Sequence, residues 1–202
     1  MAFVLGVDEA GRGPLAGPVA VGCVRAPDDF DLIAAFPGLN DSKKLTEKAR
    51  ETLFGLLLER AAAGDVAYHV ELISHRIIDT KGITHAVRRG IGRGVKSLMP
   101  DPSLGKVWLD GLLKAPRPYA QETVIHGDGL IPAIMLASVA AKVTRDRYMT
   151  RLAKRFPAYG FERHKGYGTD AHYRALRELG PCSYHRTSYV HLAELDLVPV
   201  EE

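Results

Sequence analysis

Residues 3 to 14 read FVLGVDEAGRGP: an apolar, β-prone run that ends in two adjacent carboxylates, Asp8 and Glu9, and then breaks at an arginine held between two glycines. A short apolar run bounded by turn residues reads as a strand buried inside a sheet. On that reading FVLGV (3 to 7) is a strand with its acids at the end. VAVGCV (19 to 24) lies across a Gly/Pro-rich turn and forms a pair with it, and VAYHVEL (66 to 72) supplies a third strand. Two later segments repeat the first pattern. KVWLDG (106 to 111) and ETVIHGDG (122 to 129) are each expected to run as strands into Asp-Gly, at Asp110 and Asp128.

Helical signals fill the gaps. Thr46 is an N-cap for EKARETLFGLLLERAAA, with Gly64 as its stop. Ile83, Ala86, Val87, Ile91, Val95 and Leu98 form one helical stripe, although Gly90, Gly92 and Gly94 weaken the propensity of that segment. A basic helix is expected from Pro132 to about Arg155, and DAHYRALREL is capped by Thr169 and closed by Gly180. The succession of strands and helices predicts an α/β layered domain built on a mixed sheet.

Composition sets limits on function. With 202 residues, 46% of them apolar, the chain is long enough for one domain with a substantial core. It lacks the roughly 20 consecutive apolar residues of a membrane span and a basic leader at its start, so a cytoplasmic protein is expected. Cys23 and Cys182 stand far apart and outside metal-ligand spacing, which predicts neither a disulfide framework nor a zinc site. The net charge is only +3, but residues 141 to 165 carry 8 Lys+Arg against 2 Asp+Glu. Such a run is either a solvated helix face or a stripe that tracks nucleic-acid phosphates.

If the acid-terminated strands are neighbours, Asp8, Glu9, Asp110 and Asp128 converge on one sheet edge. Asp8 and Glu9 would point to opposite faces of a regular strand, so both reach one site only if the strand breaks at Glu9. Four clustered carboxylates repel one another and require cations. An oxygen-only set favours Mg²⁺ or Mn²⁺ over zinc. Two such ions about 4 Å apart support in-line phosphoryl displacement. Gly11 and Gly13 then let backbone approach a ligand, with Arg12 near a phosphate or ribose. The loop has neither a Walker sequence nor the full GxGxxG pattern, so no nucleotide cofactor is expected.

In DEAGRGPLAGP, NDSKKL, LDG, LASVAAKVTRDR, HKGYGT and HRTSY, taken in that order, the chain resembles the type II ribonuclease H enzymes, the ribonuclease HII family, over almost its whole length. The resemblance implies a ribonuclease H-like fold: a central mixed five-stranded sheet flanked by helices, with residues from about 166 to 202 as a C-terminal helical substrate-binding extension of a single domain. It implies a Mg²⁺- or Mn²⁺-dependent endoribonuclease that cuts the RNA strand of RNA/DNA hybrids and single ribonucleotides in duplex DNA, leaving 3'-hydroxyl and 5'-phosphate ends. Its four metal-binding acids fall on Asp8, Glu9, Asp110 and Asp128, its glycine-arginine-glycine element on Gly11, Arg12 and Gly13, and its junction-sensing tyrosine on Tyr167.

Other residues are weighed beside these. Lys43 either meets a phosphate or is solvated, and Lys142, on the helix after Asp128, has the stronger claim to a phosphate. Asp146, between two arginines, reads as an ion-pair partner rather than a ligand. Ser138 reads as packing, and His126, His164 and His185 as structural. A monomer is expected. The tail ELDLV (194 to 198) has a faint likeness to peptides that bind sliding clamps, a motif short enough to arise easily. Two other classes compete: a two-metal DNA endonuclease or resolvase of the same fold class, and a non-catalytic hybrid-binding module with no use for convergent acids.

Overall fold

In the computed structural model, residues 2–190 are described. Five strands form one mixed sheet: β1 Phe3–Ala10, β2 Val19–Pro27, β3 Ala67–Ile73, β4 Gly105–Asp110 and β5 Ala120–Val124. Their order is β3-β2-β1-β4-β5, so the strand that carries Asp8 and Glu9 is central. β1 pairs antiparallel with β2 over its full length, from Phe3↔Pro27 to Ala10↔Ala20. Its parallel pairing with β4 stops at Val7↔Leu109. The last residues of β1 therefore have a partner on one side only, and the sheet opens where the acids lie.

Seven helices surround the sheet among the described residues: α1 Leu32–Ala35, α2 Glu47–Ala63, α3 His75–Lys81, α4 Ile83–Leu98, α5 Pro132–Ala153, α6 Phe161–His164 and α7 Asp170–Leu179. Caps set several of their limits. Thr46 Oγ1 accepts from the Ala49 amide and Gly64 closes α2 at a φ of 84°, while Thr169 caps α7. α4 is continuous despite its glycines, because Gly90 and Gly94 are the residues that press on Val21 and Cys23 of β2. None of these helices is long and apolar enough to cross a membrane.

Strand alternation divides the core. Leu5, Val7, Val21 and Leu109 pack with α4 on one face, whereas Val24 and Ala26 pack with α2 and α5 on the other. α5 lies directly on the strands. A Cβ at Gly6 would sit 2.1 Å from the Ala133 carbonyl carbon, and one at Gly22 would sit 2.2 Å from the Ala137 oxygen. That contact explains the small residues along α5, whose Ala133, Ala137, Ala140 and Ala141 are all buried. A third cluster joins Leu15 and Ala16, just after β1, to Met149, Phe161 and Leu176 at the far end of α5 and on α6 and α7. The tail at 194 to 198 lies outside the described residues.

The seating of α5 on β1 can be tested without touching the acids. Gly6→Ala should lower the unfolding free energy by about 3 kcal/mol, the upper range for an overpacked core, and shift the urea midpoint down accordingly. An unchanged midpoint would mean that the helix does not rest on the strand.

Candidate active site

The alternation of β1 sends Asp8 to the α5 face and Glu9 to the α4 face. The expected strand break at Glu9 does not occur, since Glu9 and Ala10 stay in register with Val21 and Ala20. Glu9 reaches the site for another reason. β4 leaves the ladder after Leu109, so the Glu9 amide bonds Asp8 Oδ1 at 2.7 Å and its carboxylate lies beside Asp110 at an unpaired edge. The expectation for Asp128 also needs correction. β5 ends at Val124, and Asp128 sits in a 3₁₀ turn, Gly127–Gly129, entered through His126 at a φ of 57°. No strand carries it. The turn folds it back, with its amide directed at Asp110 Oδ1 3.4 Å away.

Carboxylate oxygens of Asp8, Asp110 and Asp128 consequently lie within 4.8 Å of one another. Glu9 stands just outside this group. Burial pushes the Asp8 carboxyl up to about 8, and the negative charges of Glu9 and Asp110 add to that, against a hydrogen bond from Ser138. Burial raises Glu9 too, opposed chiefly by Arg12, whose Nη1 is 3.3 Å from Glu9 Oε1. A carboxyl raised in this way marks an acid held in a dry place beside other negative charge. An all-oxygen donor set of this kind fits hard divalent cations, and Asp8, Asp110 and Asp128 could hold one directly, with Glu9 beside them.

Positive charge enters from a loop and from a helix. Lys43 Nζ lies 2.7 Å from Asp128 Oδ2 while most of its side chain stays exposed. Its loop is firmly built: Asp41 Oδ1 accepts from the Lys43 amide, and Arg50 of α2 donates to the Ser42 and Leu45 carbonyls. Lys142 pairs with Asp146 at 3.1 Å, as the sequence predicts for that aspartate, and sits 5.6 Å from the centre of the Tyr167 ring. Ser138 does more than pack. It bonds Ser42 Oγ at 2.8 Å and Asp8 as well, linking α5 to the acid.

The glycine-arginine-glycine loop is held from within. Arg186, fully buried, donates to the carbonyls of Gly11, Arg12 and Gly17 at 2.7, 2.7 and 3.0 Å. Arg145, also fully buried, donates to those of Pro18, Lys165 and Ala16. Gly11 has a φ of 90°, and a Cβ there would lie 2.0 Å from Arg145 Nε, so only glycine fits. The basic run at 141 to 165 is thus no continuous stripe: Arg145 is internal and Arg147 pairs with Glu51. Neither the placement of Arg145 nor that of Arg186 is signalled by spacing or charge pattern.

One cavity of about 480 Å³ collects the candidates. Asp8, Glu9, Gly11, Arg12, Gly13, Lys43, Asp110, Lys142 and Tyr167 all line it, and Asp128 reaches it through Lys43. Tyr167 is 39% exposed there. A second cavity of about 450 Å³ shares Glu9, Arg12 and Asp110 and continues along α4 past Arg88.

Comparison with known proteins follows the same outline. A profile described as Ribonuclease HII matches residues 5–192. Ribonuclease HII of Azorhizobium caulinodans is 48% identical over 201 residues, covering 100% of this chain and 73% of its own. The crystal structure of the ribonuclease H2 from Pyrococcus horikoshii OT3 superposes with a TM-score of 0.75 at 24% identity, over 96% of this chain and 97% of that one. Bst-RNase HIII in complex with Mn²⁺ gives a TM-score of 0.64 at 19% identity, over 89% of this chain and 63% of that one. Both structures share the fold of this chain.

The charge balance of the acids yields a prediction. Asp110→Asn removes a negative charge from a crowded set, so the protein without added metal should melt at the same temperature or slightly higher. The rise in melting temperature that Mg²⁺ gives the unaltered protein should shrink in the variant. A large loss of stability in the variant without metal would make Asp110 a structural residue.

Proposed function

Since this chain belongs to the ribonuclease HII family, it is a hydrolytic endoribonuclease acting on RNA/DNA, and we propose that it also incises at single ribonucleotides embedded in duplex DNA. The observation that carries this reading is the cavity that Asp8, Glu9 and Asp110 share with the Gly11–Gly13 loop and Tyr167. We infer that Asp8, Glu9, Asp110 and Asp128 hold two Mg²⁺ or Mn²⁺ ions. Bound there, such ions supply an activated water and stabilise the leaving oxygen of a phosphodiester, giving 3'-hydroxyl and 5'-phosphate ends.

The chain's own groups account for the remaining tasks. Ser138 orients Asp8 through its hydrogen bond, and the Ser42 contact keeps the Lys43 loop at a fixed distance from α5. Lys43 neutralises Asp128, and its exposed side chain serves a phosphate of the cut strand. Lys142, which lines the same cavity and pairs with Asp146, serves a neighbouring phosphate.

Recognition of ribose requires polar groups at the 2'-hydroxyl. Arg186 takes the carbonyls of Gly11 and Arg12, so the loop's capacity to bond a ribose lies in its amides, with no side chain at Gly11 or Gly13 to block approach. Tyr167 sets an exposed ring in the same cavity. There it packs on the sugar that follows the ribonucleotide, where a deoxyribose fits better than a hydroxylated one. In this reading the segment from about residue 166 onward is a substrate-binding extension of the single domain, and Tyr167 is its contact.

The test is cleavage of a DNA duplex carrying one ribonucleotide, with and without Mg²⁺, beside an all-DNA duplex. Cutting should require both the ribonucleotide and the ion. Equal cutting of the all-DNA duplex would assign the site to a DNA endonuclease instead. Tyr167→Ala should lower the rate on the embedded ribonucleotide about tenfold more than on a long hybrid, the scale of one lost stacking contact. Tyr167→Phe should fall between. An equal loss on both substrates would remove Tyr167 from junction sensing.

A further inference from the structure

Three histidines behind Tyr167 have no part in the chemistry of the acids. His172 and His185 are buried, at 0% and 2% exposure. Their Nε2 atoms face each other at 3.0 Å. The far nitrogen of each ring meets backbone: His172 Nδ1 lies 2.9 Å from the Tyr167 carbonyl oxygen, and His185 Nδ1 lies 2.9 Å from the Cys182 amide nitrogen.

These contacts point to one arrangement of the protons. A carbonyl only accepts, so His172 Nδ1 carries a hydrogen and its Nε2 is bare. At His185 Nδ1 the Cys182 amide is the nearer partner, at 2.9 Å against 3.3 Å for the Cys182 carbonyl oxygen, and an amide only donates, so Nδ1 is bare and Nε2 carries the hydrogen. The bond between the rings therefore runs from His185 to His172. Reversing it would set two lone pairs together at Tyr167 and two hydrogens together at Cys182. Both rings are also neutral: a second proton on His172 would oppose two N–H groups at the centre, and one on His185 would set its Nδ1–H against the Cys182 amide. Burial acts in that direction, pushing both imidazoles down to about 4.

The relay connects the two elements read above as ribose sensors. At one end it holds the Tyr167 carbonyl, which also accepts from the Thr169 amide. His164 stacks on His172 with ring centres 4.3 Å apart, and its Nδ1 accepts from the amide of Gly166, next to Tyr167. At the other end His185 bridges to Ala16 and precedes Arg186, the residue that clasps the Gly11 and Arg12 carbonyls. Lys165, at a left-handed φ of 52°, shows that the Tyr167 loop is held in a strained path.

We propose that His172 and His185 are positioning residues, a neutral, directional pair of imidazoles that sets Tyr167 in register with the Gly11–Gly13 loop and so supports selectivity for embedded ribonucleotides. The selectivity half of this statement rests on the reading of Tyr167 as the junction-sensing ring.

The test combines a measurement on the unaltered protein with one on variants. Long-range ¹H–¹⁵N correlation of ¹⁵N-histidine-labelled protein at pH 7 should show neutral rings, with the hydrogen on Nδ1 of His172 and on Nε2 of His185. His172→Phe keeps a ring and removes both bonds. It should broaden or double the Tyr167 resonances and lower the ratio of embedded-ribonucleotide to long-hybrid cleavage about tenfold, the scale of one lost hydrogen bond. His172→Asn, which returns a donor near the Nδ1 position, should recover part of that ratio. The opposite tautomers, a charged ring, or sharp single Tyr167 resonances with an unchanged ratio in His172→Phe would overturn the proposal. Should Tyr167→Ala itself leave the ratio unchanged, the junction reading fails; the relay is then judged by the tautomers and the Tyr167 resonances, which do not depend on substrate. The tautomer measurement needs no variant to fold.

Discussion

The guanidinium of Arg186 is the interaction on which the loop beside the acids depends. It is fully buried, its charge meets three carbonyl oxygens rather than a carboxylate, and Arg145 repeats the arrangement a short distance away. Burial and the neighbouring charge of Arg145 lower its pKa. Two cations of like sign taken out of water are costly, and carbonyl dipoles offset only part of that cost. Stability alone is a poor reason for such a pair. What it secures is the path of residues 11 to 18, which turns through left-handed backbone at Gly11 and Gly17 and passes over the end of β1.

The clasp places the loop, and the sheet places the acids. β1, paired with β2 throughout, runs unbroken to Ala10, and its alternation places Asp8 against α5 and Glu9 toward α4. The early departure of β4 opens the edge where both reach Asp110. α5 rests on the glycines of β1 and β2, so Ser138 and Lys142 arrive at the acids at fixed height. Negative charge is thus concentrated on the sheet edge, while backbone hydrogen-bonding capacity is concentrated on the loop beside it. A cation-dependent cut next to a ribose needs both.

Much of this was legible in the sequence, where local rules govern. Thr46, Gly64, Thr169 and Gly180 mark helix ends through bonds that involve only their neighbours, and the stripe of α4 follows from its 3.6-residue period. The acids at Asp8 and Asp110 could be placed because each ends an apolar run. Asp128 was harder, since an Asp-Gly after a β-prone run looks the same whether a strand or a 3₁₀ turn carries it. The break expected at Glu9 failed because the opening lies in the neighbouring strand, which a reading of β1 alone does not contain. Charge was the least legible feature. Arg145 and Arg147 are two residues apart in one basic run, yet one is buried on carbonyls and the other faces Glu51. Ser138 looked like packing because its partners, Asp8 and Ser42, are far away in the chain.

The most direct test of this account is Arg186→Lys, which keeps the buried charge but loses the planar fork that reaches three carbonyls at once. Two quantities are measured in protein shown to be folded by circular dichroism: Mn²⁺ affinity by calorimetry, and the cleavage rate of a duplex with one embedded ribonucleotide. The account predicts a rate lower by about a hundredfold, as for a misplaced reacting group, with Mn²⁺ affinity within about threefold of the unaltered protein because the acids do not lean on the clasp. An unchanged cleavage rate would contradict it, and so would a loss of Mn²⁺ affinity as large as the loss of rate.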